Sequence, residues 1–169
     1  MRVLRAAGLC GLAAVSGCIW DLPEPLPEGP VSPATEPVFV EAEELALDGF
    51  VVEASGIASA GAYIKTTGGN DGTATYNFPG DEGIYDVRVI YFDEADGASS
   101  MQLIVNGDVK EDWIWNEELG SDTANGDTLT SRTVVGITLE PGDAVQLVGQ
   151  PDGDEPLRTD RLEFLVPGS

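Results

Sequence analysis

Apolar and polar residues alternate one by one over several stretches of this chain, and that alternation limits the folds available to it. In one such stretch, Tyr85, Val87, Val89 and Tyr91 are separated by single residues. A period of two places successive side chains on opposite faces of a strand, whereas a helix repeats every 3.6 residues. No window has the spacing of a long amphipathic helix. The pattern predicts an all-β fold, an antiparallel β-sandwich or jelly roll.

Turn residues separate the predicted strands. Asn106-Gly107 follows an alternating apolar run, and Pro141-Gly142-Asp143 separates two further runs that are predicted to form a second hairpin. Asn-Gly between apolar runs is the strongest short-range signal for a hairpin, because both residues tolerate a positive φ. We therefore predict a single domain over residues 38–167, of the size typical for one hydrophobic core.

The first residues have the layout of a secretory signal. Arg2 and Arg5 precede an apolar run, and Val15-Ser16-Gly17-Cys18 resembles the lipobox of bacterial lipoproteins. The run is too short to span a bilayer, which needs about 20 apolar residues. We predict that residues 1–17 are removed and that Cys18 is lipidated. This would anchor the protein to a membrane of the bacterial cell envelope, such as the outer membrane, or send it outside the cell. The alternative is an ordinary signal peptide with an incidental cysteine.

Prolines dominate the next segment. Residues 18–37 contain six of the chain's 11 prolines. Prolines at this density favour an extended polyproline II path of about 3.1 Å per residue. We predict an unstructured linker here between the lipidated cysteine and the folded domain.

The charge of the chain excludes one class of partner. Thirty acidic and six basic residues follow Cys18, since two of the eight basic residues precede it, which leaves a net charge of −24. Such a surface repels phosphate backbones, so nucleic acid is not expected as a partner, whereas divalent cations are attracted. We expect a monomer.

The residue types also limit the chemistry. The chain has no histidine, and of its two cysteines Cys10 lies in the predicted signal and Cys18 is the predicted lipidation site. The usual nucleophile–base pairs and histidine metal sites are therefore missing, and no disulfide can staple the domain. Two carboxylates alone can hydrolyse a glycosidic bond, but no pair stands out among the 30 acids. We predict that the protein is not an enzyme.

A set of short motifs is similar to one group of families. Their order along the chain is Val40-Glu41-Ala42-Glu43, 68–74 (GGNDGTA), 83–87 (GIYDV), Val105-Asn106-Gly107 and 159–164 (TDRLEF). Together they resemble carbohydrate-binding modules of families 6, 35 and 36, over essentially all of residues 38–167. The resemblance implies a galactose-binding-like β-sandwich that binds a polysaccharide or other glycan without catalysis. The alternative is a sandwich of the same fold with a structural or protein-binding role.

The ends of the predicted domain carry three carboxylates that suit calcium. Glu41 and Glu43 are two apart, so on a regular strand both point to one face, together with Phe39 and Leu45. Calcium takes six to eight oxygen ligands and relieves the repulsion between neighbouring carboxylates. Asp160, at the start of the last strand, is the third candidate. The resemblance implies a structural calcium here, completed by the backbone of about residues 58–62. The alternative is that both glutamates are surface acids.

A second acidic loop contains Asp93, Glu94 and Asp96. Its spacing is not that of an EF-hand loop. We consider it a weaker calcium site, with a solvated acidic turn as the alternative.

Sugar binding calls for exposed aromatic rings beside amides and carboxylates. Trp115 and Asn116 stand at the end of a predicted strand, before a long loop, and form the preferred platform. Trp113 would share the face of Trp115 and is a weaker candidate for sugar binding, since it is expected in the core. Tyr63 is a further candidate, because the resembled families hold a sugar ring between aromatics from two loops. Packing of Tyr63 in the core is the equal alternative.

Overall fold

The computed structural model describes residues 29–152 and 155–169, which form 11 strands and one 3-10 turn. No helix in the described part of the chain is long and apolar enough to cross a membrane. The strands are β1 (Val38–Glu41), β2 (Ala46–Asp48), β3 (Phe50–Ala54), β4 (Ala62–Thr66), β5 (Gly72–Asn77), β6 (Gly83–Phe92), β7 (Ser100–Val105), β8 (Asp108–Ile114), β9 (Leu129–Leu139), β10 (Ala144–Gln150) and β11 (Arg158–Leu165). The 3-10 turn, Ala42–Glu44, follows β1.

The strands build two antiparallel sheets. Sheet A has the order β3-β4-β11-β6-β9, with β1 also paired to β11, and sheet B has the order β2-β5-β10-β7-β8. One predicted hairpin is present, since β7 pairs with β8 around Asn106-Gly107, and Asn106 has a φ of 51°. The second is wrong: the strands on either side of Pro141-Gly142-Asp143 do not pair, because β9 lies in sheet A and β10 in sheet B. The predicted all-β sandwich is nevertheless confirmed.

The core lies between the sheets and consists of the residues that alternate inward. Leu103 and Leu147 face each other in neighbouring strands of sheet B and are fully buried. Phe78 packs on both Tyr85 and Phe164, with ring centroids 5.1 and 5.0 Å apart. Aromatic pairs at such distances add about 0.5–1.5 kcal/mol each beyond the area that they bury. No disulfide is needed to hold this core together.

Loops from both sheets collect at one end of the sandwich, which we call the loop end. It consists of the connections 67–71, 93–99, 115–128 and, apart from residues 153–154, 151–157. Because all strands are antiparallel, the ends of β4, β6, β8 and β10 meet the starts of β5, β7, β9 and β11 there. Residues far apart in the chain are therefore brought together at this end.

The chain enters the sandwich earlier than the sequence predicts. Pro33 forms a parallel bridge with Ile84, and the Ala34 amide donates to the Ile84 carbonyl at 2.9 Å. The contact is close, since a Cβ on Gly83 would lie 2.9 Å from the Ala34 Cα. The last residues of the predicted linker therefore belong to the folded domain. The predicted signal, the lipidated Cys18 and most of the linker lie outside the described residues.

Candidate functional site

The two tryptophans of β8 and its following loop are both buried. Trp115 is 0% exposed and stacks on Tyr91, with ring centroids 4.1 Å apart and planes at 22°. Its amide donates to the Ser99 carbonyl at 2.7 Å, which ties the end of β8 to the start of β7. The ring therefore points between the sheets, and the prediction of an exposed Trp115 platform is wrong. Trp113, 7% exposed, lies in the core as expected.

The other predicted sugar contacts are not brought together. Tyr63 is 4% exposed and packs against Phe92, with ring centroids 5.5 Å apart. Its hydroxyl donates to Glu53. Burial and this carboxylate raise the pKa of Tyr63. Of the predicted platform, only Asn116 is exposed. No aromatic face of the predicted platform is therefore available to a sugar.

Asp160 lies at an irregularity in β11. The strand pairs with β4 up to Thr159 and with β1 from Arg161 onwards, and its register against β6 shifts between these two residues. Asp160 lies at this β-bulge and is 1% exposed. Bulges re-aim side chains and interrupt the ladder. Here the bulge aims a carboxylate into the space beside the 3-10 turn, which packs against β4 and β11.

Ser59 joins two of the predicted calcium ligands. Its amide donates to Asp160 Oδ1 at 2.8 Å, and its hydroxyl donates to Glu41 Oε2 at 2.5 Å. The other oxygen of Asp160 accepts from Arg161 Nη1 at 3.0 Å. The sequence brings Glu41 and Asp160 to one place as predicted, through the loop that precedes β4.

Glu43 occupies a different position from the predicted one. β1 ends at Glu41 and the chain turns through the 3-10 turn, so Glu43 is not on the same strand face. Phe39 is 59% exposed while Leu45 is 6% exposed, so these two do not share a face either. The 3-10 turn replaces the regular strand that the prediction assumed.

The donors present fit calcium in their chemistry. Glu43 Oε2 is buried and has no hydrogen-bond partner among the described residues, which is costly for a carboxylate. Glu41, Glu43 and Asp160 offer only oxygen ligands, the type that calcium prefers. No group of three or more His, Cys, Asp or Glu side chains in residues 29–152 and 155–169 is positioned to hold a metal ion. An ion here would have to replace the contacts of Ser59.

The second predicted metal site is instead a buried network at the loop end. Asp93 is 0% and Glu94 is 2% exposed, whereas Asp96 is exposed, so the three do not converge. The centre is Glu155, which sequence reasoning missed. Its Oε1 accepts from the Glu94 amide at 3.1 Å, and its Oε2 accepts from the Ser99 amide at 2.9 Å. The geometry therefore does not favour the weaker calcium site that was predicted at this loop.

The network ties three loops together. Asp93 Oδ2 accepts from the Glu117 amide at 3.2 Å, which links loop 93–99 to loop 115–128. Arg158 pairs with Glu94 at the start of β11. Burial, followed by the neighbouring charges of Glu155 and Glu117, raises the pKa of Asp93 to about 7. Burial also raises the pKa of Glu94 and Glu155, although Arg158 opposes this for Glu94 and backbone hydrogen bonds oppose it for Glu155. These acids organise the loops rather than face solvent.

An open cavity of about 480 Å³ lies beside this network. It is lined by Lys65, Thr66, Thr67, Gly68, Gly69, Pro151 and Pro156. The Gly68-Gly69 turn has positive φ at both positions, and the Asn70 amide and side chain both donate to the Thr67 carbonyl. Sequence reasoning missed this cavity, because only the fold brings the turn after β4 to the prolines before β11. The glycine pair was the available signal.

Relatives with 31–36% identity are much longer proteins. The chain is 34% identical over 140 residues to the probable alpha-glucuronidase A of Aspergillus oryzae, and 36% identical over 143 residues to that of Aspergillus terreus. Each alignment covers 78% of this chain, and the chain spans 17% of the length of these curated relatives. No known protein-family profile matches the chain.

Solved structures share the fold. A family 35 carbohydrate-binding module from Clostridium thermocellum aligns with a TM-score of 0.62 and 18% identity, over 78% of this chain and 99% of that one. The CBM36-1 domain of a xylanase from the hindgut metagenome of Trinervitermes trinervoides aligns with a TM-score of 0.57 and 15% identity, over 79% and 100%. The predicted resemblance is confirmed in its fold: the described domain is the β-sandwich of family 35 and family 36 modules.

Proposed function

We propose that this domain binds a polysaccharide or other glycan without catalysing a reaction, at the cavity of the loop end. The observation that carries the proposal is this cavity, since hydrogen bonds hold both of its walls before any ligand arrives. Glu155, next to Pro156, belongs to the buried network, and the Gly68-Gly69 turn is closed by the bonds from Asn70 to the Thr67 carbonyl. A preorganised site loses less free energy on binding than a mobile one. The fold supports the same function, because modules of this fold are named for carbohydrate binding.

The cavity offers suitable contacts for a sugar. Pro151 and Pro156 supply apolar surface. Thr67 supplies a side-chain hydroxyl that forms no hydrogen bond with the described residues. The glycines leave backbone groups open to a ligand, since nothing lies within 4 Å of a Cβ at Gly69. Sites for small ligands combine apolar walls with a few polar groups in this way.

We further propose a structural calcium at Glu41, Glu43 and Asp160, and presentation of the domain on a membrane through lipidated Cys18. The unpartnered oxygen of Glu43 supports the first. For the second, the chain enters beside Ile84 near the start of β6, and the loop end lies beyond the last residue of that strand. Ten strand residues span about 30 Å, so a tether at the entry would leave the cavity facing away from the membrane.

The proposal is tested by measuring binding of the purified domain to a panel of neutral and acidic oligosaccharides by calorimetry. Replacing Thr67 and Pro156 together by alanine removes a hydroxyl and an apolar wall, and we expect about a tenfold loss of affinity. Thr133→Ala on exposed β9 is the matched control and leaves affinity unchanged. The absence of binding to every glycan would overturn the proposal.

The burial of both tryptophans favours one other function. A sandwich without an exposed aromatic platform also suits a structural or protein-binding role on the same surface. If the domain has that role, replacing Thr67 and Pro156 by alanine should change no result in any glycan assay. A protein partner should still be retained.

A further inference from the structure

The basic side chains of the domain are all already engaged. The described residues contain six lysines and arginines, and each lies within ion-pair distance of a carboxylate. The pairs are Lys65–Glu53, Arg88–Glu163, Lys110–Asp108, Arg132–Glu111, Arg158–Glu94 and Arg161–Asp160. The same residues include 26 acids, so 20 negative charges are not balanced.

One of these cations lines the cavity. Lys65 Nζ pairs with Glu53, which also accepts the hydroxyl of Tyr63. The hydrogen bond from Lys65, followed by that from Tyr63, lowers the pKa of Glu53, so the carboxylate stays charged and holds the lysine. A ligand carboxylate would have to displace Glu53 from Lys65. That exchange replaces one ion pair by another and leaves Glu53 without its lysine, so little free energy is gained.

Acids lie next to the cavity wall. Asp71 follows the Gly68-Gly69 turn by two residues and accepts a hydrogen bond from Gln150, the residue before Pro151. Asp152 is exposed on the other side of Pro151. These carboxylates add local repulsion to the field of the whole domain, and such fields act over about 8 Å at physiological salt.

Resting on the function proposed above, we infer that the ligand of this cavity is a neutral glycan and that the site rejects uronic acids. Hydroxyl groups can bind to the Thr67 hydroxyl and the open backbone groups without any cation. A uronate brings a charge, whereas each described cation is already paired with a carboxylate and the unpartnered Nε of Arg158 is buried. The similarity of this region to alpha-glucuronidases therefore does not imply that the cavity binds a uronate.

The test compares neutral and acidic probes on the full domain, by calorimetry, both with calcium and with EDTA. The neutral probes are xylo-, manno- and galacto-oligosaccharides, and the acidic probes are trigalacturonate and a xylo-oligosaccharide with a glucuronosyl branch. We expect at least one neutral probe to bind at least tenfold more tightly than either acidic probe in both conditions. Equal or tighter binding of an acidic probe in either condition would overturn the inference.

A variant identifies the residue that sets the preference. Glu53→Gln keeps an acceptor for Tyr63 but frees the charge of Lys65. We expect uronate affinity to rise about tenfold at low salt and neutral binding to stay unchanged. Glu111→Gln frees Arg132 on the opposite edge of sheet A and serves as the control, with no change for either ligand.

The outcomes distinguish failure of the proposed glycan binding from failure of the proposed selectivity. Failure of every probe to bind would overturn the proposed function itself. Binding of a neutral probe with no gain in uronate affinity for Glu53→Gln would leave the function standing, but would overturn the assignment of selectivity to the Lys65–Glu53 pair.

Discussion

The domain contains two groups of acids that look alike in sequence and differ in structure. At the loop end, Asp93, Glu94 and Glu155 are almost completely buried. Asp93 and Glu155 accept hydrogen bonds from backbone amides of neighbouring loops, and Glu94 accepts from Arg158. Beside the 3-10 turn, Glu41 and Glu43 are partly exposed, and Glu43 keeps a buried oxygen without a partner. Asp93 Oδ1 is likewise buried without a partner among the described residues, but Asp93, Glu94 and Glu155 each accept at least one hydrogen bond from protein donors. Glu43 accepts none from the described residues.

This difference indicates what each group does. A carboxylate surrounded by amide donors accepts hydrogen bonds from backbone groups of the loop that would otherwise bond to water, and so it fixes the loop. A buried carboxylate oxygen with no donor is destabilising unless a cation or water reaches it. Acid density along the sequence does not distinguish the two cases. The hydrogen-bond donors around each group distinguish them.

The largest expected effect is on Glu155. Glu155→Ala leaves the buried amides of Glu94 and Ser99 without their acceptor, at about 1–3 kcal/mol each. We expect a loss of about 2–4 kcal/mol in the free energy of unfolding, measured by urea denaturation. Asp96→Ala, in the neighbouring loop 93–99 and exposed, should change stability by less than about 0.5 kcal/mol. Equal effects of the two variants would remove the distinction between buried and solvated acids.

Calcium should act on the other group. At a concentration about 100-fold above Kd, a bound ion adds about 2.7 kcal/mol, or about 10 °C in Tm for a domain of this size. We expect this rise in a thermal melt of the wild type and of Asp93→Asn, but not of Glu43→Gln. A rise lost in Asp93→Asn and kept in Glu43→Gln would move the ion to the loop end and reverse the comparison.

The smallest expected effect, taken over a single pH unit, is on the pH dependence of stability. The pKa of Asp93 is raised from 3.8 to about 7, so between these pH values the folded domain holds a proton that the unfolded chain has released. This group's contribution is full below pH 3.8 and is lost as the pH rises to about 7, with a slope of at most about 1.4 kcal/mol per pH unit.

Asp93→Asn tests this linkage, because the amide does not titrate. Denaturant melts from pH 4 to 8 should give a flatter profile for the variant, with the difference between the proteins largest near neutral pH. Glu117→Gln is a control that removes one neighbouring charge and keeps the titrating group. A profile of the Asp93→Asn variant parallel to that of the wild type would show that Asp93 does not titrate in this range.

The strands and the Asn106-Gly107 hairpin could be predicted because their signals are local, whereas the turn at Pro141-Gly142-Asp143 connects strands of different sheets. The alternation around Tyr85 and the turn at Asn106-Gly107 act within a few residues, and both appear in the structure. The start of the domain was missed, since proline content indicates an extended path but does not show that Pro33 pairs with Ile84.

The site could be predicted only in part. Glu41 and Asp160 do meet, but through Ser59, and the separation of Ser59 and Asp160 by 101 residues leaves no local pattern. The position of Trp115 at the end of a strand suggested exposure. Its ring turns inward because its amide is held by Ser99 and Tyr91 offers a stacking partner.

The sequence by itself determined the class of fold, the acidic surface and the absence of histidine and of disulfide chemistry in the domain. The period of two decides which side chains can be buried, and composition decides the charge. Only the tertiary structure decided which acids are buried, which cation lines the cavity and that Trp113 and Trp115 are both buried. These depend on contacts between strands and loops that are distant in the chain, and an antiparallel sandwich brings them together only when both sheets are formed.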